Sequence, residues 1–325
     1  MHSDVKYTEY DREGIKILAD FLPDKIFDAH MHVFDSAHLP MSYKVGERDT
    51  GDLDAYHRAF GEMLSYPRVW RANMITSPDS AMREKGGKII RMADEFLIGE
   101  LNKSDLNVGE IIVSPLESAC EIEKRLTHPR IRGLKVYFFL SAREKHGDES
   151  PDEYIPEGAW EVADKYSMPV TIHLVRSDAL ADPFNYNYII DRAKKYKNAK
   201  IVLAHAGRAF ASYAAIEGAE YVRKYENVLF DLSAICEPSP MAMLMKTVGV
   251  SRIMWGTDYP STVDHGRAIS VGRRFMWLGE NVLGKCWLYA IENLMAVRDA
   301  AIIAKLSKTD VDRIFYNTAA SVFKV

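Results

Sequence analysis

Eight short apolar runs, rich in β-branched residues and each about as long as a strand, recur along the chain and constrain its fold most strongly. They lie at 25–33, 68–75, 108–114, 132–139, 169–175, 200–206, 227–233 and 252–257. Stretches with helical periodicity separate most of them, at 83–102, 117–126, 155–166, 186–196, 211–224 and 240–248. Strands that alternate with helices are typical of a parallel sheet, because each crossover must return the chain to the same edge. Eight such units predict an α/β fold whose sheet closes into a (β/α)8 TIM barrel.

An open, doubly wound sheet is the alternative that the same alternation allows. That fold holds a dinucleotide on a glycine-rich turn after its first strand, but the segment DAHMHVFDSAHLP at 28–40 contains no glycine. The barrel is therefore favoured. The chain also has no linker rich in Pro, Gly or Ser, so we predict a single domain over residues 1–325.

Two segments exceed the needs of a minimal barrel. A long polar connection at 35–66 follows the first strand, and we expect it to form a partial lid at the carboxyl ends of the strands. Loops longer than about 12–15 residues in a compact domain are often functional. The segment 265–325 is predicted to be helical throughout, which would add extra C-terminal helices to the barrel.

The charge balance argues against two classes of partner. The chain has 42 Lys and Arg against 46 Asp and Glu, and its formal net charge of -4 favours neither nucleic acid nor an anionic membrane as a partner.

The three cysteines of the chain are odd in number and widely spaced, so neither disulfides nor a cysteine-based zinc site is expected. The polar N-terminus lacks the apolar core of a signal peptide, and we expect a cytoplasmic protein. A homo-oligomer is expected as well, with a dimer as the working assumption.

Two histidines flank Met31 in the first predicted strand. Residues two apart in a strand point to the same face, so the imidazoles of His30 and His32 should both face the barrel interior. Such a pair is suited to binding a metal. In a chain with 10 His among 325 residues, the same pair also has an appreciable chance of arising at random.

Three more polar residues, His173, His205 and Asp258, lie near the carboxyl ends of other predicted strands. The active sites of α/β barrels form at this end, so we expect these residues to converge on the first pair. A single core histidine is usually structural, and Asp258 alone could cap the next helix. An ionised aspartate buried in the barrel would be costly without a cation, whereas a divalent metal would stabilise it.

Four motifs, D-A-H-M-H, I-H, A-H-A-G and W-G-T-D-Y-P, together resemble the amidohydrolase superfamily. The resemblance is closest to the amidohydrolase-related (amidohydrolase 2) branch, which includes aminocarboxymuconate-semialdehyde decarboxylase and the resorcylate-type decarboxylases. It covers about residues 25–323, including the N-T-A-A-x-x-F ending. The resemblance implies one divalent metal with His205 beside it as an acid or base. The ligands that it implies are His30, His32, His173 and Asp258.

Three neutral imidazole nitrogens and one carboxylate suit Zn2+, and the somewhat harder Mn2+ is the alternative. A metal of this kind lowers the pKa of a bound water towards 7, and Asp258 or His205 could take its proton and pass it to a leaving group. The site therefore predicts a metal-dependent hydrolase of a small, carboxylate-bearing lactone, amide or ester. A non-oxidative decarboxylase of an aromatic or enoic acid is the alternative. A third possibility is a non-catalytic binding module, which the intact ligand set disfavours.

Lys135 should point into the barrel from the fourth predicted strand, with Tyr137 on the same face. In binuclear amidohydrolases a lysine at this position is carboxylated and bridges two metals. The branch that the chain resembles is largely mononuclear, which favours one metal and an unmodified lysine that binds a substrate carboxylate. A structural ion pair of Lys135 with Asp28 or Asp231 is the remaining alternative.

Arg208 follows A-H-A-G where related sequences commonly have a second glycine. Its guanidinium could hold a carboxylate through two hydrogen bonds, and a surface position on the loop is the alternative. The same alternatives apply to Arg176, just after the fifth strand. We therefore expect a small anionic substrate, bound by Lys135, Arg208 and Tyr137.

Overall fold

The computed structural model describes residues 5–38, 50–64, 68–84 and 87–325. In these ranges the strands of the main sheet are β1 Lys25–Asp35, β2 Thr50–Gly51, β3 Val69–Thr76, β4 Val108–Ile112, β5 Ile131–Val136, β6 Pro169–Ile172, β7 Lys200–Leu203, β8 Val228–Asp231 and β9 Ile253–Met254. A separate hairpin is formed by β10 Gly266–Val271 and β11 Arg274–Gly279.

Helices connect most of the consecutive strands of the sheet, and four more follow the hairpin. The helices are α1 Glu9–Leu18, α2 Leu53–Leu64, α3 Lys88–Asn102, α4 Ala119–Arg125, α5 Glu157–Tyr166, α6 Pro183–Lys195, α7 His205–Arg208, α8 Ser212–Val222, α9 Pro238–Val248, α10 Glu280–Leu283, α11 Tyr289–Ala304, α12 Lys308–Asp312 and α13 Thr318–Phe323. None of the described helices is long and apolar enough to span a membrane.

The sheet order is β2-β1-β3-β4-β5-β6-β7-β8-β9, and every neighbouring pair is parallel except β1 with β2. The last strand returns to the first, which closes the sheet. Backbone hydrogen bonds across this seam run from Ala29 N to Trp255 O (2.9 Å), from Asp258 N to His30 O (2.7 Å) and from His32 N to Tyr259 O (2.8 Å). The predicted (β/α)8 barrel is confirmed, with a strand in each of the eight apolar runs.

Burial and capping explain why these segments adopt these structures. Every residue of β4, β6 and β8 is buried, as expected for strands with the barrel interior on one face and helices on the other. Ser118 begins α4 by accepting a hydrogen bond from Glu121 N, while the Glu121 carboxylate accepts one from Ser118 N. Asp182 begins α6 in a similar way and is followed by a proline at the first helical position.

The predictions for the two segments beyond the minimal barrel have different outcomes. The connection at 35–66 contains β2 and α2, and the part of the predicted lid at 39–49 lies outside the described residues. The prediction that 265–325 is helical throughout is wrong at its start, because 266–279 forms the β10–β11 hairpin. β-Branched and aromatic residues flank the two-residue turn there, and Gly272 adopts the positive φ of 60° that such a turn needs.

Candidate metal centre

Four side chains meet at the carboxyl end of the barrel: His30 and His32 from β1, His205 after β7, and Asp258 after β9. We call them the donor cluster. The two Nε2 atoms of His30 and His32 are 3.2 Å apart, and Asp258 Oδ1 is 3.6 Å from each. One potential ligand atom from each of His30, His205 and Asp258 lies within 4.8 Å of the others. Nitrogen ligands about 2.0–2.1 Å from one Zn2+ lie roughly 3.0–3.4 Å apart, so the spacing of the β1 histidines fits a shared metal.

Two members of the donor cluster have an uncommon backbone conformation. His205 has a φ of 52° and Asp258 a φ of 59°, in the left-handed region that non-glycine residues rarely occupy. Their backbone amides are held in place, because Asp258 N donates to His30 O at 2.7 Å and His205 N donates to Asp231 Oδ1 at 3.2 Å. Strain of this kind is concentrated at functional sites, where the surrounding structure maintains it.

Asp231, at the end of β8, orients the first histidine. Its Oδ2 lies 2.9 Å from His30 Nδ1, and both side chains are completely buried. Because Nδ1 then donates its proton to Asp231, the lone pair of His30 Nε2 is left for a metal. Burial alone would raise the pKa of Asp231, but the adjacent His30 holds it well below the usual range.

The protonation states suit metal binding. Burial and the nearby Lys135 lower the pKa of His30 to about 4, despite the opposing Asp231. Burial also lowers the pKa of His32, and with His205 it holds the pKa of His173 well below the usual value. These imidazoles are therefore neutral at pH 7, the form that binds a metal. Burial alone would raise the pKa of Asp258, but the surrounding histidines, His205 first, hold it at about 2.

His173, just after β6, lies at the rim of the donor cluster. Its ring centroid is 5.0 Å from that of His205 and 4.6 Å from that of Tyr137. Tyr154 fixes the backbone at this position by donating its hydroxyl proton to His173 O at 3.0 Å. The predicted ligand His173 is thus less central than the predicted acid or base His205.

Lys135, on β5, is completely buried, with its Nζ 3.3 Å from His30 Nε2. Among the described residues no carboxylate pairs with it, and the two aspartates considered as partners bind elsewhere. Asp28 accepts hydrogen bonds from Tyr56 and Thr257, and Asp231 contacts His30. The alternative of a structural ion pair with either aspartate is therefore not found.

A buried carboxylate on the neighbouring strand, Glu110, was not identified from the sequence. Its Oε1 accepts a hydrogen bond from Thr171 at 2.8 Å. Burial raises the pKa of Glu110 to about 8 against the attraction of Lys135. For the cationic Lys135 the same burial has the opposite sign and lowers the pKa, against the attraction of Glu110 and Asp231. The sequence signal that could have identified Glu110 was its position on the inner face of β4.

A cavity of about 350 Å³ lies above the donor cluster. Its lining residues are His32, Pro78, Tyr137, His173, His205, Arg208, Phe210, Asp258, Ser261, Phe275 and Trp277. Arg208 therefore faces the site. Its Nη1 donates to Arg176 O at 3.2 Å, and no ion pair with a described carboxylate is present. Arg176 itself is paired with Asp182 at 2.9 Å and with Asp148 at 3.1 Å, which gives it a structural role in the loops.

One side of the cavity is an aromatic wall of Phe210, Phe275 and Trp277. The ring centroid of Phe210 is 4.8 Å from that of Phe275 and 5.1 Å from that of Trp277. The guanidinium carbon of Arg208 lies 5.3 Å from the Phe275 centroid. Two of the three wall residues belong to the β10–β11 hairpin, in the segment that was predicted to be helical and gave no candidate site residue. In the sequence, Phe275 and Trp277 stand on either side of Met276, and this alternation is the signal that could have indicated a strand.

The sequence model of the amidohydrolase family matches residues 27–325. The chain therefore belongs to the amidohydrolase family. No curated protein sequence matches it significantly.

Similar solved structures share the fold at low sequence identity. An amidohydrolase from Burkholderia multivorans with bound zinc is 15% identical with a TM-score of 0.59, over 92% of this chain and 99% of that one. The 5-carboxyvanillate decarboxylase of Sphingomonas paucimobilis is 15% identical with a TM-score of 0.59, over 93% and 100%. A probable 2-pyrone-4,6-dicarboxylic acid hydrolase from Acinetobacter baumannii with citric acid bound is 13% identical with a TM-score of 0.57, over 92% and 99%. The neighbours thus include both hydrolases and decarboxylases.

Proposed function

We propose that the protein is a metal-dependent hydrolase of a small lactone, amide or ester that carries a carboxylate. The observation that carries the proposal is the donor cluster, in which His30 Nε2, His32 Nε2 and Asp258 Oδ1 converge beneath a cavity that also contains a cationic arginine. Membership of the amidohydrolase family supports a metal-dependent reaction.

We propose one divalent metal, Zn2+ or alternatively Mn2+, held by His30, His32, His173 and Asp258. The fit is supported by neutral imidazoles, a carboxylate with a pKa of about 2 and the 3.2 Å spacing of the β1 histidines. The zinc in the Burkholderia structure is consistent with it. A second metal on a carboxylated Lys135 is the less favoured form.

The bound metal would act as a Lewis acid and lower the pKa of a water molecule. Asp258 is ionised at neutral pH, so its carboxylate could accept a proton during hydrolysis. His205 Nδ1 lies 3.1 Å from the carbonyl oxygen of Ser233, so Nδ1 carries the ring proton and Nε2 remains free to exchange one with a leaving group. Together they provide the two proton transfers that hydrolysis needs.

The substrate side is cationic and aromatic. Arg208 has no carboxylate partner among the described residues, so a substrate carboxylate would supply one. Lys135, at the base of the site, would bind a second oxygen of the substrate, and Tyr137 lines the cavity beside it. The aromatic wall would cover the apolar face of a flat ligand.

A decarboxylase of an aromatic or enoic acid is the second candidate, and the aromatic wall beside Arg208 is the observation that favours it. The same metal would then bind the oxygens of the substrate, and His205 or Asp258 would deliver the proton that replaces CO2. One experiment separates the two reactions. Purified, metal-loaded protein is assayed with two panels of substrates. The first panel contains carboxylate-bearing lactones, esters and amides, and the second contains hydroxybenzoic and enoic acids.

Hydrolysis would incorporate oxygen from labelled water into the organic product, whereas decarboxylation would release CO2 and leave the organic product without that label. Label in the product supports the leading proposal, and CO2 release alone supports the second candidate. No metal-dependent turnover in either panel would contradict both. His205→Gln should keep the metal and lose turnover, whereas loss of the metal in this variant would make His205 a ligand.

We further propose that the enzyme acts in the cytoplasm as a homo-oligomer, provisionally a dimer. The three cysteines, Cys120, Cys236 and Cys286, are all free thiols, which supports a reducing compartment such as the cytoplasm. Light scattering after size exclusion tests the oligomeric state, and a mass of 36.9 kDa for the eluted species would contradict a homo-oligomer.

A further inference from the structure

Asp28 is a completely buried carboxylate two residues before the first histidine of the donor cluster. It accepts four hydrogen bonds. Its Oδ1 accepts from His30 N at 3.0 Å and from Thr257 N at 2.9 Å. Its Oδ2 accepts from Thr257 Oγ1 and from Tyr56 Oη, each at 2.6 Å. The donors come from three segments, namely β1, the turn after β9, and the helix α2 of the first connection.

Two of these hydrogen bonds, both donated by Thr257, cross the seam at which the barrel closes. The seam has little regular pairing, because β9 contains only Ile253 and Met254. A side chain at Gly256 would place its Cβ 2.8 Å from His30 N and 3.2 Å from Asp28 Oδ1, so the chain after β9 packs directly against β1. Asp28 therefore links the segment that carries Asp258 to the segment that carries His30.

Tyr56 extends this link to α2. Its ring is completely buried and lies 5.5 Å from the ring of Tyr259 in an edge-on contact. The Trp70 ring nitrogen can only donate, and it does so to Tyr56 Oη at 2.8 Å. The single hydroxyl proton of Tyr56 is consequently directed to Asp28. A helix outside the minimal barrel is thus hydrogen-bonded to the seam beneath the donor cluster.

We propose that Asp28 and Tyr56 are positioning residues that fix Asp258 relative to His30 and His32, and so set the affinity for the metal. Asp258 follows Thr257 directly and has the left-handed φ of 59°, a conformation that its neighbours must maintain. Asp28 acts on it through Thr257 and acts on His30 through the backbone amide. The inference rests on the proposed metal site and extends its determinants into α2.

The test compares Tyr56→Phe with Tyr7→Phe. Tyr7 is a matched control, because its hydroxyl donates to Ala59 O at 2.7 Å and so anchors the same helix without reaching Asp28. The Kd for Zn2+ is measured by competition with a chromophoric chelator, and the Tm of each metal-free protein is recorded alongside it. The visible spectrum of the Co2+-substituted protein reports the coordination directly.

We expect Tyr56→Phe to raise the Kd about tenfold and to change the Co2+ spectrum, since partners of metal ligands commonly contribute 10–100-fold to affinity. Tyr7→Phe should lower the Tm but leave the Kd within about twofold of the wild type. Asp28→Asn should raise the Kd for Zn2+ by more than Tyr56→Phe does. If wild-type protein binds Zn2+ and Tyr56→Phe binds it equally well, the positioning role is overturned while the proposed function stands. If wild-type protein takes up neither Zn2+ nor Mn2+, the proposed function fails and the inference with it.

Discussion

The donor cluster and the aromatic wall face each other across one cavity, but the chain builds them differently. The donor cluster lies at the carboxyl end of the barrel, where Asp231 contacts the His30 side chain and backbone hydrogen bonds across the seam fix His30, His32 and Asp258. The aromatic wall comes mainly from a hairpin outside the barrel, and Trp277 remains 44% exposed. Metal binding and substrate selection are therefore assigned to separable parts of the molecule, and a substitution in one part should leave the other intact.

The largest effect is expected from removing the β1 histidines. The double variant His30→Ala, His32→Ala loses two neutral nitrogen ligands, and we expect it to lose the metal and all turnover. Elemental analysis checks the metal content, and circular dichroism checks that the barrel has folded. Metal content equal to the wild type would refute the assignment of the donor cluster.

A smaller effect on metal binding by the donor cluster is expected from Asp231→Asn. An asparagine oxygen can still accept from His30 Nδ1, but the charge that strengthens this hydrogen bond is lost, so the affinity for Zn2+ should fall about 10–100-fold. Chelator competition measures this Kd. An unchanged Kd would show that His30 does not depend on Asp231 for its orientation.

Arg208→Gln tests the substrate side. A hydrogen-bonded contact to a charged group is worth about 1.5–3 kcal/mol, so KM for an anionic substrate should rise roughly 10–100-fold with the metal content unchanged. An uncharged analogue of the substrate is the control, and its KM should change little. Equal losses for both substrates would remove Arg208 from the recognition of the carboxylate.

The smallest effect is expected from Trp277→Ala in the aromatic wall. Stacking of aromatic rings contributes about 0.5–1.5 kcal/mol beyond the burial of area, so binding of benzoate should weaken roughly 2–10-fold. Binding of cyclohexanecarboxylate, which is not planar, should weaken less. Met276→Ala is the control from the adjacent hairpin position, where the side chain is 50% exposed. If both variants weaken benzoate equally, the wall has no specific role.

The barrel could be predicted from the sequence because its strands are local apolar runs, and the donor residues could be predicted because barrel sites lie at strand ends. The hairpin was missed because the apolar residues at 266–279 were interpreted with helical periodicity, although Gly272 and the alternation of Phe275 and Trp277 indicate a turn between strands. In a short apolar run, periodicity alone does not distinguish a helix from a strand.

The partners of the donor residues required the folded chain. Asp231 was considered only as a partner of Lys135, because its contact with His30 joins residues 201 positions apart. The bond between Tyr56 and Asp28 likewise depends on where α2 packs, which no local pattern specifies. Unlike the strand-end ligands, such hydrogen bonds between distant segments depend on tertiary geometry.

We expect one divalent metal beside an unmodified Lys135, held by His30, His32, His173 and Asp258. Elemental analysis of the purified protein together with its intact mass tests this most directly. We predict one equivalent of zinc or manganese per chain and an intact mass equal to that of the unmodified sequence. Two equivalents of metal with an added carboxyl group on a Lys135 peptide, or no metal at all, would contradict it.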